Sequence, residues 1–223
     1  GIEGGKRLDK LVAAVFLGIL SFFDLRVSSL VYFLLFSYLP FYLLKRDFQR
    51  QTLMNIISSL ALILIIPFSF HFYWIIPLAL SKMAGLPSFY TEVSQVAFLS
   101  WMNLSNAIYL FHPYWPYNIF GKTNPVSWQF FIIPFLAFLN LLFKVRNKIV
   151  FYLIFISLLA ILLLNGANKP FRDLYLWLFK NLPGFYMFRD PSKFYILLSL
   201  SFSLLIGFCI DAISNKIKGF KWV

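Results

Sequence analysis

Three charged residues near the end of the chain have the types and the spacing to bind a phosphate group. Arg189, Asp190 and Lys193 stand directly before a long apolar run, where a helix is expected to begin. The free N–H groups and the dipole of a helix start both favour an anion. Arginine binds phosphate with its planar guanidinium group, and lysine adds a point charge. Because Arg189 and Lys193 are four residues apart, they share one face if this stretch is helical.

A structural role for the same residues is the alternative. Arg189 and Asp190 can pair with each other, and Lys193 can extend its ammonium group to lipid headgroups. Arg172 is a further basic residue upstream in the same polar stretch. On the binding interpretation, the candidate phosphate-binding residues are Arg189, Lys193, Asp190 and Arg172.

A second polar region precedes these residues, between Thr91 and Leu110. Its polar side chains fall within about 80° of one another at ~100° per helical residue. They are Glu92, Gln95, Asn103 and Asn106. The remaining residues are mostly apolar, and this pattern predicts one helix that lies flat in a membrane interface with Glu92 on its wet face.

The segment that follows, Phe111–Tyr117, is rich in aromatic residues and prolines. Its rings are typical either of an aromatic belt at a lipid surface or of a platform for the apolar faces of sugars. On the second interpretation His112, Trp115 and Glu92 are candidate sugar-binding residues. His112 is not expected to bind a metal, because the only other histidine, His71, lies in a different apolar segment.

Motifs for nucleotide, metal or serine-hydrolase chemistry are absent from the sequence. It has no glycine-rich phosphate loop, no cluster of His and Cys, and no GxSxG motif. We therefore expect no metal and no cofactor, and the sequence identifies no catalytic residue.

The composition points to a lipid environment. Of 223 residues, 61% are hydrophobic and 13% are charged, and the mean hydropathy is +0.79. Soluble domains have about 45–50% apolar and about 25% charged residues. This excludes a soluble enzyme and a disordered tail, and the single cysteine, Cys209, excludes a disulfide scaffold. Basic residues at the ends of membrane spans explain the net charge of +12 better than a nucleic-acid partner does.

Six apolar segments can span a membrane if the bilayer thins or neighbouring helices shield their ends. They are 11–23, 27–44, 53–67, 128–143, 149–164 and 194–213. Asp24 and Arg26 separate the first two segments, which predicts a helical hairpin rather than one long kinked helix, because charges in mid-membrane are costly. The predicted fold is all-α: a polytopic transmembrane bundle of about six helices with an interfacial helix in a long outer loop.

The basic residues indicate which side of the membrane each loop faces. Four short segments carry three Lys or Arg each, whereas the opposite side has eight in much longer loops. Short basic loops stay in the cytoplasm. We therefore expect residues 1–223 to form a single multi-pass domain in the cell membrane, with both termini cytoplasmic and the loops 81–127 and 166–192 outside. The segment starts at Gly1 without the layout of a signal peptide, so we expect a piece of a longer protein.

The second outer loop contains a recognisable sequence. Leu182-Pro183-Gly184-Phe185 is followed by Phe188-Arg189-Asp190-Pro191-Ser192-Lys193-Phe194. This order resembles polytopic glycosyltransferases of the C superfamily, of the arabinofuranosyltransferase-like type, which have a Leu-Pro-x-Phe element and a Phe-Arg-Asp-Pro-x-Lys-like entry into a helix. The first outer loop is similar to theirs more loosely, and the resemblance covers about residues 50–215.

The resemblance implies a function for these loops. It implies transfer of a sugar from a polyprenyl-phosphate donor to an extracytoplasmic glycan or lipid-linked acceptor, as in polysaccharide biosynthesis of the cell envelope. By the same analogy Arg189 and Lys193 hold the donor phosphate, and the aromatic loop lines the sugar channel. The family's catalytic carboxylate lies in an early outer loop. Here the first outward turn, around Asp24, is too short to hold an active site, so the base is expected upstream of this segment.

Two other classes of function remain. One is a transporter or flippase for lipid-linked sugars, which is expected to have charged residues within its spans or an internal repeat. The predicted spans have almost no charge, and no repeat is visible in the sequence. The other class is a non-catalytic structural membrane protein, which needs nothing from the loops.

Cysteine labelling tests the predicted orientation of the loops. In a variant that lacks Cys209, single cysteines placed in 166–192 should react with a membrane-impermeant thiol reagent added outside the cell. Single cysteines placed in 144–148 should be protected, because that short link carries three basic residues. The opposite labelling pattern would reverse the assignment.

Overall fold

The computed structural model describes residues 7–43, 50–73, 76, 92–110, 128–142 and 147–219. The α-helices in these residues are α1 (Arg7–Phe23), α2 (Leu25–Leu43), α3 (Arg50–Phe70), α4 (Val93–Leu99), α5 (Leu104–Ile108), α6 (Ile132–Phe138), α7 (Lys148–Leu164), α8 (Arg172–Asn181) and α9 (Tyr195–Gly219). The 3-10 helices are Trp128–Phe131, Leu139–Leu141, Phe185–Phe188 and Pro191–Phe194. The described residues contain no strand, which confirms the predicted all-α class.

All six apolar segments predicted as helices are α-helical or 3-10-helical in the described residues, apart from a turn at Leu142. The fourth segment departs most from a regular helix, since α6 is flanked on both sides by 3-10 turns between Trp128 and Leu141. Within the described residues one helix, Pro191–Lys216 with 26 residues, is long and apolar enough to cross a membrane. At ~1.5 Å per residue it is about 39 Å long, which exceeds the ~30 Å of a bilayer's hydrocarbon core.

The N-terminal unit, Gly1–Leu86, contains α1, α2 and α3. Asp24 separates α1 from α2, as predicted. Its carboxylate accepts two hydrogen bonds of 2.9 Å from the guanidinium of Arg26 and one of 2.8 Å from the Arg26 backbone N–H. The charge on each side chain is thereby paired at the break between the two helices.

A buried apolar cluster joins the three helices of this unit. Its centre is formed by Ala14, Leu17 and Ile63, and the residues packed against it are Leu20, Val31, Tyr32, Leu35 and Ile66. The Tyr32 hydroxyl also donates a hydrogen bond of 3.2 Å to the C=O of Ile63. Because residues 31–35 of α2 reach the middle of α1, the two helices form the predicted hairpin and not one kinked helix.

α1 and α3 approach each other closely at Gly18. A Cβ atom on Gly18 would lie 2.5 Å from the ring of Phe70 and 3.4 Å from the Cα of Pro67. Three residues further along α1, Ser21 Oγ lies 2.6 Å from Nε2 of His71 and donates a hydrogen bond to the C=O of Gly18. The contact therefore combines a small residue, which lets the helices meet, with a buried polar link between them.

The C-terminal unit, Pro87–Val223, is built around α7 and α9, which pack side by side. Fully buried apolar side chains recur every three or four residues on both helices: Ile156, Ala160 and Leu164 on α7, and Leu198, Phe202 and Leu205 on α9. Each helix thus turns one apolar face to the other. Asn140 adds the third element, because its Nδ2 donates hydrogen bonds to the C=O of Leu205 at 2.7 Å and of Ala137 at 3.0 Å.

The prediction of one helix between Thr91 and Leu110 is wrong. Residues 100–103 are not helical, and two short helices, α4 and α5, form instead. Asn103 caps α5, since its Oδ1 accepts a 2.8 Å hydrogen bond from the N–H of Asn106. Asn106 itself is only 4% exposed and therefore does not belong to a wet face. The prediction relied on the helical stripe of polar residues and left out the preference of asparagine for helix starts over helix interiors.

Two helical glycines test the close approach of α1 and α3. Gly18→Ala should lower the free energy of unfolding by about 1–3 kcal/mol, because the new Cβ overpacks the contact with Phe70. Gly207→Ala on α9 is the matched control, because a Cβ there meets nothing within 4 Å. The control should leave stability unchanged or raise it by up to about 1 kcal/mol through helix propensity. Thermal unfolding of the two variants in the same lipid nanodiscs measures the difference, and equal stability would contradict the predicted overpacking.

Candidate functional site

Three of the four predicted phosphate-binding residues, Arg189, Asp190 and Lys193, lie where two 3-10 helices follow each other. Gly184, at φ +81°, precedes the first of these, Phe185–Phe188. Arg189 ends that helix, and Asp190 then adopts an extended conformation before the second, Pro191–Phe194, begins. Asp190 caps the second helix through a 3.0 Å hydrogen bond from the N–H of Ser192 to its Oδ1. We call residues 189–193 the basic turn.

The extended Asp190 corrects one sequence-based argument. Arg189 and Lys193 were expected to share one helix face, but Asp190 separates the two helices to which they belong. Helical spacing therefore does not place the two basic residues on one face. Pro191 lies in the first turn of the second 3-10 helix.

The carboxylate of Asp190 faces Lys193 in this turn. Asp190 Oδ2 lies 3.6 Å from Lys193 Nζ, and both side chains keep more than a quarter of their surface exposed. An ion pair of this length and exposure contributes little to stability, about 0–1 kcal/mol. Arg189 is half-buried at the other end of the turn. The turn therefore carries two cationic side chains, of which Lys193 is loosely paired and accessible to an incoming anion.

An aromatic cluster supports the basic turn from one side. It consists of Tyr175 on α8 together with Phe185, Phe188 and Phe194. The ring centroids of Phe188 and Phe194, which flank the turn, are 4.9 Å apart, and those of Tyr175 and Phe185 are 5.4 Å apart. Ring pairs at such distances contribute about 0.5–1.5 kcal/mol each beyond the burial of their area.

Tyr175 links the cluster to the backbone of the turn. Its side chain is completely buried, and its hydroxyl donates a hydrogen bond to the C=O of Phe188, the residue before Arg189. Burial, and to a smaller extent the nearby charge of Asp190, raises the pKa of Tyr175 well above its ordinary value of 10.0. The hydroxyl consequently keeps its proton and remains a hydrogen-bond donor.

The end of α7 meets the basic turn from the other side, at Gly166. This residue has φ +54°, and a Cβ on it would lie 2.5 Å from Cγ of Pro191 and also against Oγ of Ser100. Ser100 Oγ accepts a 2.8 Å hydrogen bond from the N–H of Ala167. Asn168 Nδ2 donates to the C=O of Ser100 at 2.8 Å and to that of Met102 at 2.7 Å. The segment 92–110, the end of α7 and the basic turn therefore meet at one point.

An open apolar groove of about 410 Å³ lies beside the same helix. Its lining residues are Ile108, Phe131, Pro134, Phe135, Phe138, Leu139, Leu142, Leu158 and Ile161. Ile161 is one helical turn before the end of α7, where Gly166 contacts Pro191. The groove and the basic turn therefore both border α7, the groove at Leu158 and Ile161 and the turn at Gly166, just beyond the end of the helix.

The other predicted site residues are not brought to this turn. Arg172 is exposed at the start of α8, and no hydrogen bond or ion pair to the turn is found for it among the described residues. Glu92 is exposed before α4, where it accepts a 3.1 Å hydrogen bond from Ser94. His112 and Trp115 lie outside the described residues. In the part of the chain that the structure describes, no group of His, Cys, Asp or Glu is suited to hold a metal ion.

Sequence reasoning missed four residues that hold the site together: Ser100, Gly166, Asn168 and Tyr175. An Asn-Gly pair directly after an apolar helix is a common helix end, so Asn165-Gly166 was a readable signal for a positive φ. Tyr175 and Phe179, four residues apart and both buried, marked the inner face of α8. No signal in the sequence indicated that Ser100 packs against Gly166, because the two are distant along the chain.

Comparison of the chain with models of known protein families, with characterised proteins and with solved structures finds no significant match. The functional interpretation therefore depends on the residues and on their geometry.

Replacing Tyr175 tests the support beneath the basic turn. Tyr175→Phe keeps the ring but removes the donor to the buried C=O of Phe188, so the free energy of unfolding should fall by about 1–3 kcal/mol at neutral pH. Tyr186→Phe is the control, because Tyr186 is exposed in the neighbouring 3-10 helix. Thermal unfolding at pH 7 measures both variants, and equal stability of the two would contradict the role of the hydroxyl.

The stability of Tyr175→Phe relative to wild type should also depend on pH, and the sign of this dependence can be predicted. Since burial raises the folded-state pKa of Tyr175 above 10.0, the folded protein keeps a proton that the unfolded chain loses as the pH rises through about 10. The contribution of Tyr175 is therefore complete below pH 10 and decreases above it. The stability gap between wild type and Tyr175→Phe should narrow from pH 9 to pH 11. A gap that stays constant would show that this hydroxyl does not titrate differently in the two states.

Proposed function

We propose that this chain is part of a membrane glycosyltransferase that moves a sugar from a polyprenyl-phosphate donor to an extracytoplasmic glycan or lipid-linked acceptor. The observation that carries the proposal is the basic turn at the start of a membrane-length helix, with an apolar groove on the helix α7 that also contacts the turn. A polyprenyl phosphate has the matching division into an anionic head and a long apolar tail. The enzyme is multi-pass on this proposal, with 81–127 and 166–192 outside the membrane.

The basic turn supports the assignment of a phosphate group to the donor. Pro191 begins the 26-residue apolar helix, so Arg189 and Lys193 stand at the level where that helix would leave the hydrocarbon. A lipid phosphate occupies the same level. The 3.6 Å pair between Lys193 and Asp190 is weak enough for a phosphate oxygen to replace the carboxylate as the partner of Lys193.

The apolar groove supports the assignment of an isoprenoid chain to the donor. Its lining is entirely aliphatic and aromatic, with Phe131, Phe135 and Phe138 spaced along one side. Unsaturated methyl-branched chains pack well against aromatic rings, and burial stabilises them by roughly 25 cal/mol per Å². A volume of about 410 Å³ accommodates several isoprene units near the phosphate, while the rest of the chain extends into lipid.

The chemistry proposed for the basic turn is stabilisation of the leaving group. As the bond between the anomeric carbon and the phosphate oxygen breaks, negative charge grows on the phosphate. A cation fixed beside that oxygen lowers the barrier more than it strengthens substrate binding. Arg189 and Lys193 supply that charge without a metal or cofactor in this scheme. A base must also take the proton of the acceptor hydroxyl, and we assign that role to none of the described residues.

Replacing Arg189 tests the proposal most simply. In the whole protein, Arg189→Ala should lower turnover of a polyprenyl-phosphate sugar by about two orders of magnitude, the usual effect of losing one charge-stabilising donor. Arg189→Lys should recover only part of this loss, because an ammonium cannot replace the planar fork. Lys180→Ala is the control, since Lys180 is an exposed cation at the end of α8. Purified variants of matched thermal stability are compared for transfer in nanodiscs.

Two outcomes would contradict the proposal. Wild-type turnover in a well-folded Arg189→Ala protein would remove this residue from the mechanism. Movement of the intact lipid-linked sugar across the bilayer, with no new glycosidic bond, would instead indicate a transporter.

A further inference from the structure

We propose that Ser100 and Gly166 are positioning residues that fix the conformation of the basic turn, so that the segment 92–110 sets the affinity of the turn for a lipid phosphate. This inference rests on the proposed function for the identity of the ligand. The positioning itself depends only on contacts in the structure. It gives a function to segment 92–110, which forms two short helices and not the single helix that was predicted.

The first step is the contact at Gly166. The space that a side chain would fill is occupied on one side by Oγ of Ser100 and on the other by Cγ of Pro191. Gly166 therefore lies between segment 92–110 and the basic turn and, having no side chain, lets the two approach closely. Any side chain on it must push Ser100 or Pro191 away.

The second step is the rigidity of the Ser100 side of this contact. Ser100 Oγ donates a 2.6 Å hydrogen bond to the C=O of Val96 and accepts one of 2.8 Å from Ala167. The Nδ2 of Asn168 donates hydrogen bonds to two backbone carbonyls of the same segment. Asn165 Nδ2 in turn donates to the C=O of Asn168. Because Ser100 is buried and makes hydrogen bonds to residues on both sides, it cannot shift without breaking them.

The third step is the response of the basic turn. Pro191 is the residue between Asp190, which caps the second 3-10 helix, and Ser192, whose N–H makes that cap. A displacement of Pro191 breaks the cap and changes the distance between Lys193 and Asp190. The position of both cations relative to a bound phosphate therefore depends on the size of residue 166.

The two left-handed glycines provide a matched test. Gly166→Ala and Gly184→Ala both place a Cβ at a positive φ, at +54° and +81°, so both introduce backbone strain. Only the first also creates a clash, because a Cβ on Gly184 meets nothing within 4 Å. Gly184 is closer to the basic turn along the chain, so strain alone would disturb the turn more in Gly184→Ala. Ser100→Ala is a third variant, which removes the hydrogen bond to Ala167 without adding a clash.

The first readout is independent of the ligand. Hydrogen–deuterium exchange of the peptide covering 189–195 is measured on the whole protein in nanodiscs. Exchange should be at least about tenfold faster in Gly166→Ala than in wild type, because the hydrogen bond from the Ser192 N–H to Asp190 is lost. Gly184→Ala should exchange in this peptide like wild type, and Ser100→Ala should change it in the direction of Gly166→Ala. Equal exchange in the two glycine variants would overturn the positioning role.

The second readout is affinity for a defined probe, undecaprenyl monophosphate in the same nanodiscs. Gly166→Ala should weaken its binding about tenfold relative to Gly184→Ala, the effect of losing one hydrogen bond to a charged group. Unchanged affinity despite faster exchange would overturn the link between segment 92–110 and phosphate binding. Absence of probe binding by the wild type would refute the proposed function, and the exchange measurement alone would then decide the positioning role.

Discussion

The close packing at Gly166 is the constraint on which the C-terminal unit depends. The end of α7, the segment 92–110 and the start of the membrane-length helix meet where only a hydrogen atom fits. Three pieces of backbone at one buried point leave many polar groups to satisfy, and Ser100 and Asn168 satisfy them with four hydrogen bonds. This junction and the aromatic cluster around Tyr175 together determine the position of the basic turn.

Such support is what a phosphate site at a membrane surface needs. Surface cations on free side chains bind anions weakly, because the ordering of long side chains offsets the attraction. In this protein the backbone that carries Arg189 and Lys193 is fixed from two sides, by Pro191 against Gly166 and by the hydrogen bond from Tyr175 to Phe188. In the proposed function the side chains lose less entropy when the phosphate binds, and this preorganisation favours an anion held at one place.

The sequence allowed the helices to be predicted, but not the junction between them. Apolar length located the helices in the six apolar segments but not α8, and the charged Asp24–Arg26 pair located the hairpin, because both signals are local. The segment 92–110 was mispredicted because a helical stripe of polar residues was weighed above the capping preference of Asn103. The pairing of Ser100 with Gly166 could not be predicted from one sequence, since 66 residues separate them and no local pattern connects them. Arg189, Asp190 and Lys193 lie in one turn, in which the extended Asp190 replaces the expected helical face.

Photo-crosslinking tests the central claim most directly. An undecaprenyl phosphate with a diazirine in an isoprene unit near the phosphate is incorporated in nanodiscs with the whole protein, irradiated, and mapped by mass spectrometry. A lipid phosphate bound at the basic turn places that diazirine in the apolar groove, so crosslinks should fall on α6 and α7, among residues such as Phe135 and Leu158. They should be lost in Arg189→Ala and kept in Lys180→Ala. Crosslinks spread over the exposed apolar residues of α1, α2 and α3, and unaffected by Arg189→Ala, would contradict the assignment of a phosphate-lipid site to this turn.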